Sequence, residues 1–262
     1  MRQADNWGWR ARIGMFIVSS EAVPEAEWWA MAPDGVSVHA ARVTARAPWA
    51  AWNDTRTAVT LEDDLARGAQ QFAAMPLASA VIGHSSSSLA GGAGWDEAVV
   101  AALTPLLGPD TRATTNGLDC QAALRALGIA RPFLVFPAWF GKTLLENGLD
   151  YFTAHGFAPS GHLRFDPGPG WRDMAPGQLY PAGMGFAQDV EALYRQIRAA
   201  CPAEADGVLI AGTGFRCVAI IEALERDLAR PVVAANQASL WRALRLAGLR
   251  DAIQGYGGLL TV

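Results

Sequence analysis

Two short apolar runs in this chain end in small, polar turns, and a helical pattern follows each. The first is Val81-Ile82-Gly83, leading into His84-Ser85-Ser86-Ser87-Ser88. The second is Val208-Leu209-Ile210-Ala211, leading into Gly212-Thr213-Gly214. A strand that stops at a helix N-terminus leaves backbone N–H groups pointing outward, so such a turn can hold an anion. Two of them could hold the two ends of a small carboxylate. The first turn also carries an ionisable group. The ordinary pKa of His84 lies near neutrality, which suits proton transfer; the alternative is a histidine bonded to a backbone carbonyl. Ser85 and Ser86 can stabilise a carboxylate or enolate through hydroxyl and N–H donors, whereas Ser88 reads as a helix cap. Thr213 and Gly214 read as a second oxyanion cradle or as an ordinary tight turn.

Composition narrows the classes. Of the 262 residues, 51% are hydrophobic and 18% charged, which describes a globular chain with ample core. The net charge of −4 argues against a nucleic-acid partner, since arginines are scattered among acids and Lys142 is the single lysine. No apolar run is long enough to span a membrane, and the polar, Trp-rich stretch from Met1 to Arg12 does not read as a signal peptide. Cys120, Cys201 and Cys217 show no metal spacing, and their odd number points to a reducing, cytoplasmic setting. No His, Cys or Asp cluster supports a metal, and no nucleotide phosphate motif is present. The expectation is therefore a site with no metal and no cofactor.

The elements that position these turns follow from periodicity. Strands are expected at 12–18, 37–44, 80–83, 132–136, 162–165, 207–210 and 231–234. Helices are expected at 61–72, 96–107, 118–127, 143–155, 187–200, 216–228 and 238–246. Asp166 to Gly185 is rich in Gly and Pro and reads as a lid or a crossover. Strands alternating with helices predict an α/β fold of parallel sheets covered on both faces, with ligands at the C-terminal strand ends. The order over 13–108 is roughly repeated over 130–228. This predicts two similar α/β lobes with four-stranded parallel sheets and a cleft between them. The expected division is 13–110 plus 231–262 for one lobe and 111–230 for the other. Trp28, Trp29, Trp49 and Trp52 crowd the first half, as core, pocket wall or a subunit contact in a homo-oligomer.

With these motifs in order, the chain resembles the aspartate/glutamate racemase superfamily, in its maleate cis-trans isomerase and arylmalonate decarboxylase branch. That branch has a strand followed by Pro-Ser-Asn-Thr; here the segment is Val18-Ser19-Ser20-Glu21-Ala22-Val23-Pro24-Glu25. Its first catalytic turn is Cys or Gly followed by Thr-Ser-x-Ser; here His84 leads four serines. Its second turn is Ser-Cys; here it is Ala211-Gly212. Agreement extends to Thr114-Thr115, to Ala138-Trp139 where the branch has a Tyr, and to Pro231-Val232-Val233 with Asn236-Gln237. The racemases of the superfamily place two cysteines on opposite faces of one carbon. Here His84 and Gly212 occupy those positions, so neither keeps a thiol. Cys217 lies a helical turn beyond and reads as a buried apolar residue.

The resemblance implies Ser20, Ser85, Ser86, Trp139, Gly212, Thr213 and Gly214 as substrate contacts, with His84 and Glu21 as the catalytic pair. Trp139 can donate a hydrogen bond but cannot ionise as a phenol does. Glu21 stands where the branch has Asn, and a carboxylate there would repel a carboxylate substrate unless protonated or paired. It reads as a second acid/base, a partner of His84, a reader of a cationic or amide group, or an exposed loop acid. The function expected is a cofactor-independent lyase acting on a small carboxylic acid through a carbanion or enediolate. The alternatives are an isomerase or racemase using His84 with Glu21, or a carboxylate-binding protein without chemistry.

Overall fold

The computed structural model describes residues 5–262, so the first four residues of the Met1–Arg12 stretch, read above as no signal peptide, lie outside the described part. The strands are β1 (Ala11–Val18), β2 (Val36–Val43), β3 (Ala50–Trp52), β4 (Val59–Leu61), β5 (Ser79–Ile82), β6 (Arg112–Thr115), β7 (Pro132–Phe136), β8 (Gly161–Arg164), β9 (Gly207–Ile210) and β10 (Val232–Ala234). They form two four-stranded parallel sheets, in the orders β2-β1-β5-β6 and β10-β9-β7-β8. Numbered within its own lobe, each sheet runs second–first–third–fourth. The two α/β lobes are therefore built on one plan. Strands such as β5, β7 and β9 are buried along their whole length, as expected of parallel strands covered on both faces.

This strand order fixes where a ligand can bind. In an open parallel sheet, a crevice opens at the C-terminal edge where the strand order reverses. Here the reversal falls between β1 and β5 in one lobe and between β7 and β9 in the other. The residues just beyond those four strands are Glu21, His84, Trp139 and Gly212.

The expected lobe boundaries fail at both crossings. Arg112–Thr115, expected in the second lobe and not as a strand, is a strand and pairs with β5 in the first sheet. Its two threonines are buried, and Thr115 caps the helix Asn116–Ala126 by accepting the Leu118 N–H at 3.3 Å, a bond type that stabilises by about 1 kcal/mol. Conversely, Val232–Ala234, expected in the first lobe, pairs with β9 in the second sheet. Only the following helix, Ala235–Leu246, returns to the first lobe. It packs on β5, β6 and the helix Asn116–Ala126, which places these two helices at the seam between lobes.

Smaller departures are local. A helix begins directly at Ser85 and runs to Gly91, ahead of Trp95–Leu107. Val23–Met31 is helical, with Pro24 in its first turn, and β3 and β4 form an antiparallel hairpin. The Gly- and Pro-rich segment contains two short helices, Pro176–Leu179 and Met184–Ala187. One hydrophobic cluster joins the inner face of β1 (Ile13, Met15, Ile17) to β7, β9 and β10, so the core is continuous across the seam. A second cluster, around Phe16, Leu65, Trp95 and Val99, lies on the outer face of the first sheet. Among the described residues, no helix is long and apolar enough to cross a membrane.

Candidate active site

A cavity of about 160 Å³ lies where the two reversal points meet. Its walls are Val18, Glu21, His84, Ser85, Ser86, Trp139, Phe140, Tyr180, Gly212, Thr213 and Gly214. Eight of the nine residues expected from sequence are thus brought to one space. Ser20 is not; it is exposed at the turn after β1 and does not line the cavity.

Glu21 is held in that same turn, its N–H donating to the Val18 carbonyl at 2.9 Å. Arg42, from the neighbouring strand β2, donates to the Glu21 carbonyl at 2.7 Å and pairs with Glu25. The backbone is therefore fixed from the solvent side, and the side chain turns inward, where it is 6% exposed. Burial pushes the Glu21 carboxyl up to about 8, a rise that the Thr213 hydroxyl, hydrogen-bonded to it, only partly opposes. Its Oε2 has no hydrogen-bond partner. At neutral pH this side chain is predominantly a carboxylic acid, which removes the repulsion that a charged Glu21 would impose on an anionic ligand.

His84 departs from expectation. Its ring stacks on the buried Trp49 at 4.2 Å and 22°, and burial pushes its pKa down to about 3. The near-neutral titration expected of it does not occur, because the imidazolium would lose its hydration without gaining a charged partner. Its Nδ1 lies 2.8 Å from the Ser87 hydroxyl, and that hydroxyl already accepts the Trp49 backbone N–H at 3.0 Å. A Ser87 hydroxyl that donates to Nδ1 leaves the ring proton on Nε2, and His84 is then a neutral hydrogen-bond donor.

The expected cradles are also partly consumed. Ser85 donates its hydroxyl to Asn116 Oδ1 at 2.6 Å and accepts the Gly212 N–H at 3.1 Å. Both groups were expected to be free for substrate. Instead they tie the two turns together across the seam. Asn116 is itself anchored to the Ala235 carbonyl and to Ser239. Gly212 has φ +105°, and a Cβ there would meet the Pro137 ring at 2.9 Å, so only glycine fits the turn. The Thr213 carbonyl accepts from Asn236 at 2.8 Å, and Asn236 also donates to Glu27 at 2.7 Å. Among the described residues, the Ser86 hydroxyl and the Trp139 indole N–H have no hydrogen-bond partner and remain available.

Tyr180 is the residue that sequence reasoning missed. It enters from the Gly- and Pro-rich segment, with its ring edge-on to Trp139 at 4.9 Å and 68°. Its hydroxyl is buried and unpartnered. Burial and the neighbouring Glu21 raise its pKa, so it stays a phenol. The available signal was a single tyrosine in a segment already marked as a possible lid. Of the four tryptophans crowding the first half, Trp28 and Trp49 are core, Trp52 is partly buried, and Trp29 is 40% exposed.

A larger cavity of about 530 Å³ lies beside it, lined by Ala22, Glu27, Phe186, Arg216, Cys217 and neighbours. Its buried acid, Glu27, is already satisfied by the N–H groups of Cys217 and Val218 and by Asn236. The smaller cavity differs in holding two buried polar atoms, Glu21 Oε2 and the Tyr180 hydroxyl, with no hydrogen-bond partner.

Solved structures with this arrangement exist. Maleate isomerase from Pseudomonas putida S16 matches with a TM-score of 0.79 at 21% identity, covering 96% of this chain and 98% of that one. This is the maleate isomerase and arylmalonate decarboxylase fold. Maleate cis-trans isomerase from Nocardia farcinica matches with a TM-score of 0.78 at 22% identity, over 96% of this chain and 98% of that one. Arylmalonate decarboxylase matches with a TM-score of 0.69 at 22% identity, over 95% and 98%. A family model described as arylmalonate decarboxylase matches residues 186–260. No curated protein matches the chain. The resemblance read from the strand-end motifs agrees with both findings.

Proposed function

We propose that this chain is a cofactor-independent lyase that decarboxylates a small carboxylic acid through a carbanion or enediolate. The observation that carries the proposal is Glu21, a carboxyl held neutral by burial, with one oxygen unpartnered in a cavity shared by both reversal points. The wall of Val18, Trp139 and Phe140 is apolar. A carboxylate is poorly solvated against it and neutral carbon dioxide is not, so loss of carbon dioxide is favoured. When the carbon–carbon bond breaks, its electrons pass into an enediolate. The His84 Nε2–H, the Ser86 hydroxyl and the Trp139 N–H are neutral donors that can disperse that charge. Glu21 then delivers its proton to the carbon, and the resulting carboxylate recovers a proton from water. One proton donor is enough for this sequence, and it acts from one face only.

A cis-trans isomerisation or racemisation is the second reading, favoured by the presence of His84 and Glu21 in one cavity. Two-base chemistry needs a second group that titrates in the working range. His84, pushed down to about 3 with Nδ1 engaged, fits that role less well.

Substituted malonates and maleate, incubated with the protein in deuterated water, separate the readings. The lyase releases carbon dioxide and places one deuterium on the product carbon. Interconversion of maleate without release of carbon dioxide would establish the second reading instead. The pH profile supplies a further check. The active form carries protonated Glu21, so kcat/KM should be level at neutral pH and fall about tenfold per unit above roughly pH 8. The other groups facing Glu21 do not interfere, since Tyr180 stays a phenol and His84 stays neutral. A profile that already falls through pH 6.5 would reassign the proton to an unburied histidine.

A further inference from the structure

The 160 Å³ cavity contains two polar atoms that are buried and bonded to nothing, Glu21 Oε2 and the Tyr180 hydroxyl. They come from different lobes: Glu21 follows β1, and Tyr180 sits in the segment between β8 and the helix Val190–Ala200. The placement of Tyr180 is built in. A Cβ at Gly214 would lie 2.8 Å from its ring and 2.7 Å from Glu21 Oε1, and a Cβ at Gly185 would lie 2.5 Å from the ring. Trp139 closes a further side. The phenol is thus seated between two glycines and an indole, and its hydroxyl is left without a partner. Buried polar groups left unsatisfied in this way are costly, and their usual resolution is a ligand or an ordered water.

We propose that Tyr180 and protonated Glu21 together clamp one carboxylate of the substrate, each donating one hydrogen bond to it, and that Tyr180 is a substrate-binding residue of this site. The inference rests on the reading of the cavity as a site for small carboxylic acids, and it names the groups that recognise the carboxylate. Among the described residues that line the cavity there is no lysine or arginine. Recognition therefore depends on neutral donors, and a phenol with a carboxylic acid supplies two. It follows that the segment carrying Tyr180 is a wall of the site, and that the bound carboxylate connects the two lobes. A cationic or amide ligand would be recognised differently, since it offers N–H donors where the phenol and the acid also present donors.

The test is titration calorimetry at pH 7 with acetate, malonate and succinate, and with acetamide as the uncharged control, on wild type, Tyr180→Phe and Glu21→Gln. Wild type should bind at least one carboxylate more tightly than acetamide. Tyr180→Phe should weaken that binding about ten- to a hundredfold, the range expected for losing a hydrogen bond to a charged group. Glu21→Gln keeps a neutral donor and should bind within a fewfold of wild type. Wild type should also show a tyrosine difference-absorption change on binding, absent from Tyr180→Phe; this signal tests the clamp even if the variant folds poorly. Equal affinities in wild type and Tyr180→Phe, or no carboxylate binding to wild type, would overturn the proposal. Because the measurement is binding, its outcome is separate from that of the lyase reading, which fails instead if Glu21→Gln turns substrate over normally.

Discussion

Among the described residues, two tyrosines, Tyr151 and Tyr180, place their hydroxyls out of water near buried carboxylates, and the two pairs are bonded in opposite ways. Tyr151, from the helix Lys142–Ala154, donates to Asp96 Oδ2 at 2.6 Å and accepts from Gln121 at 2.8 Å. The other oxygen of Asp96 accepts the Ser88 hydroxyl at 2.7 Å. Tyr180 is half-buried, but its hydroxyl and Glu21 are out of water, and the phenol and one carboxyl oxygen have no partner. Chemistry of the residues is the same in both places; the completeness of the bonding differs. A finished network fixes the lobes against one another, while an unfinished one keeps its donors for something that is not part of the chain.

The comparison is broken most severely at Glu21. Glu21→Gln should lower turnover by about 10²- to 10⁴-fold while leaving the fold intact, because an amide can donate a hydrogen bond but cannot deliver the proton. Steady-state kinetics beside thermal unfolding checks this. The same variant has a pH signature in stability. In the folded chain the Glu21 pKa is raised from 4.5 to about 8, so the native state holds the extra proton between those values. Stability from this group is complete below about pH 4.5 and declines as pH rises toward 8. Urea midpoints across that range should fall less steeply in Glu21→Gln. A slope equal to that of wild type would mean that Glu21 is not held neutral.

Removing each phenol in turn sharpens the contrast. Tyr151→Phe leaves Asp96 Oδ2 and the Gln121 amide short of a partner and should destabilise the fold by about 1–3 kcal/mol. Tyr180→Phe removes a buried hydroxyl that bonds nothing and should leave stability unchanged or raise it, by up to about 1–3 kcal/mol. Denaturant unfolding of both variants decides it, and equal losses would erase the distinction drawn here.

His84→Asn should have a smaller effect than Glu21→Gln, about tenfold in turnover, since a donor is misplaced and no titrating group is lost. A loss of 10³-fold or more would restore histidine as the proton carrier. The smallest effect is expected at Cys217→Ala. Its thiol is buried on the larger cavity and burial pushes its pKa up, so turnover should match wild type. A clear loss of turnover with folding preserved would place the missing acid there.

The sequence by itself determined the alternation of strands and helices, the two polar turns, and the four strand ends that a repeated α/β plan would bring together. These are local properties: periodicity, turn chemistry and helix termini are written within a few residues of one another. It also singled out Glu21 and His84, on the resemblance of their surrounding motifs. What tertiary structure decided is how those residues behave. Whether Glu21 is charged and whether His84 titrates depend on burial and on contacts with Thr213, Tyr180 and Trp49, which are distant in the chain. Ser85 and Gly212 looked like free donors and turned out to satisfy each other, a pairing across 127 positions. Arg112–Thr115 and Val232–Ala234 exchanged their expected lobes because strands so short take their place from available partners, with little preference of their own. Tyr180 entered the site because two glycines and a tryptophan from other elements leave room for its ring there. Burial and partnership are long-range quantities, and only the folded chain supplies them.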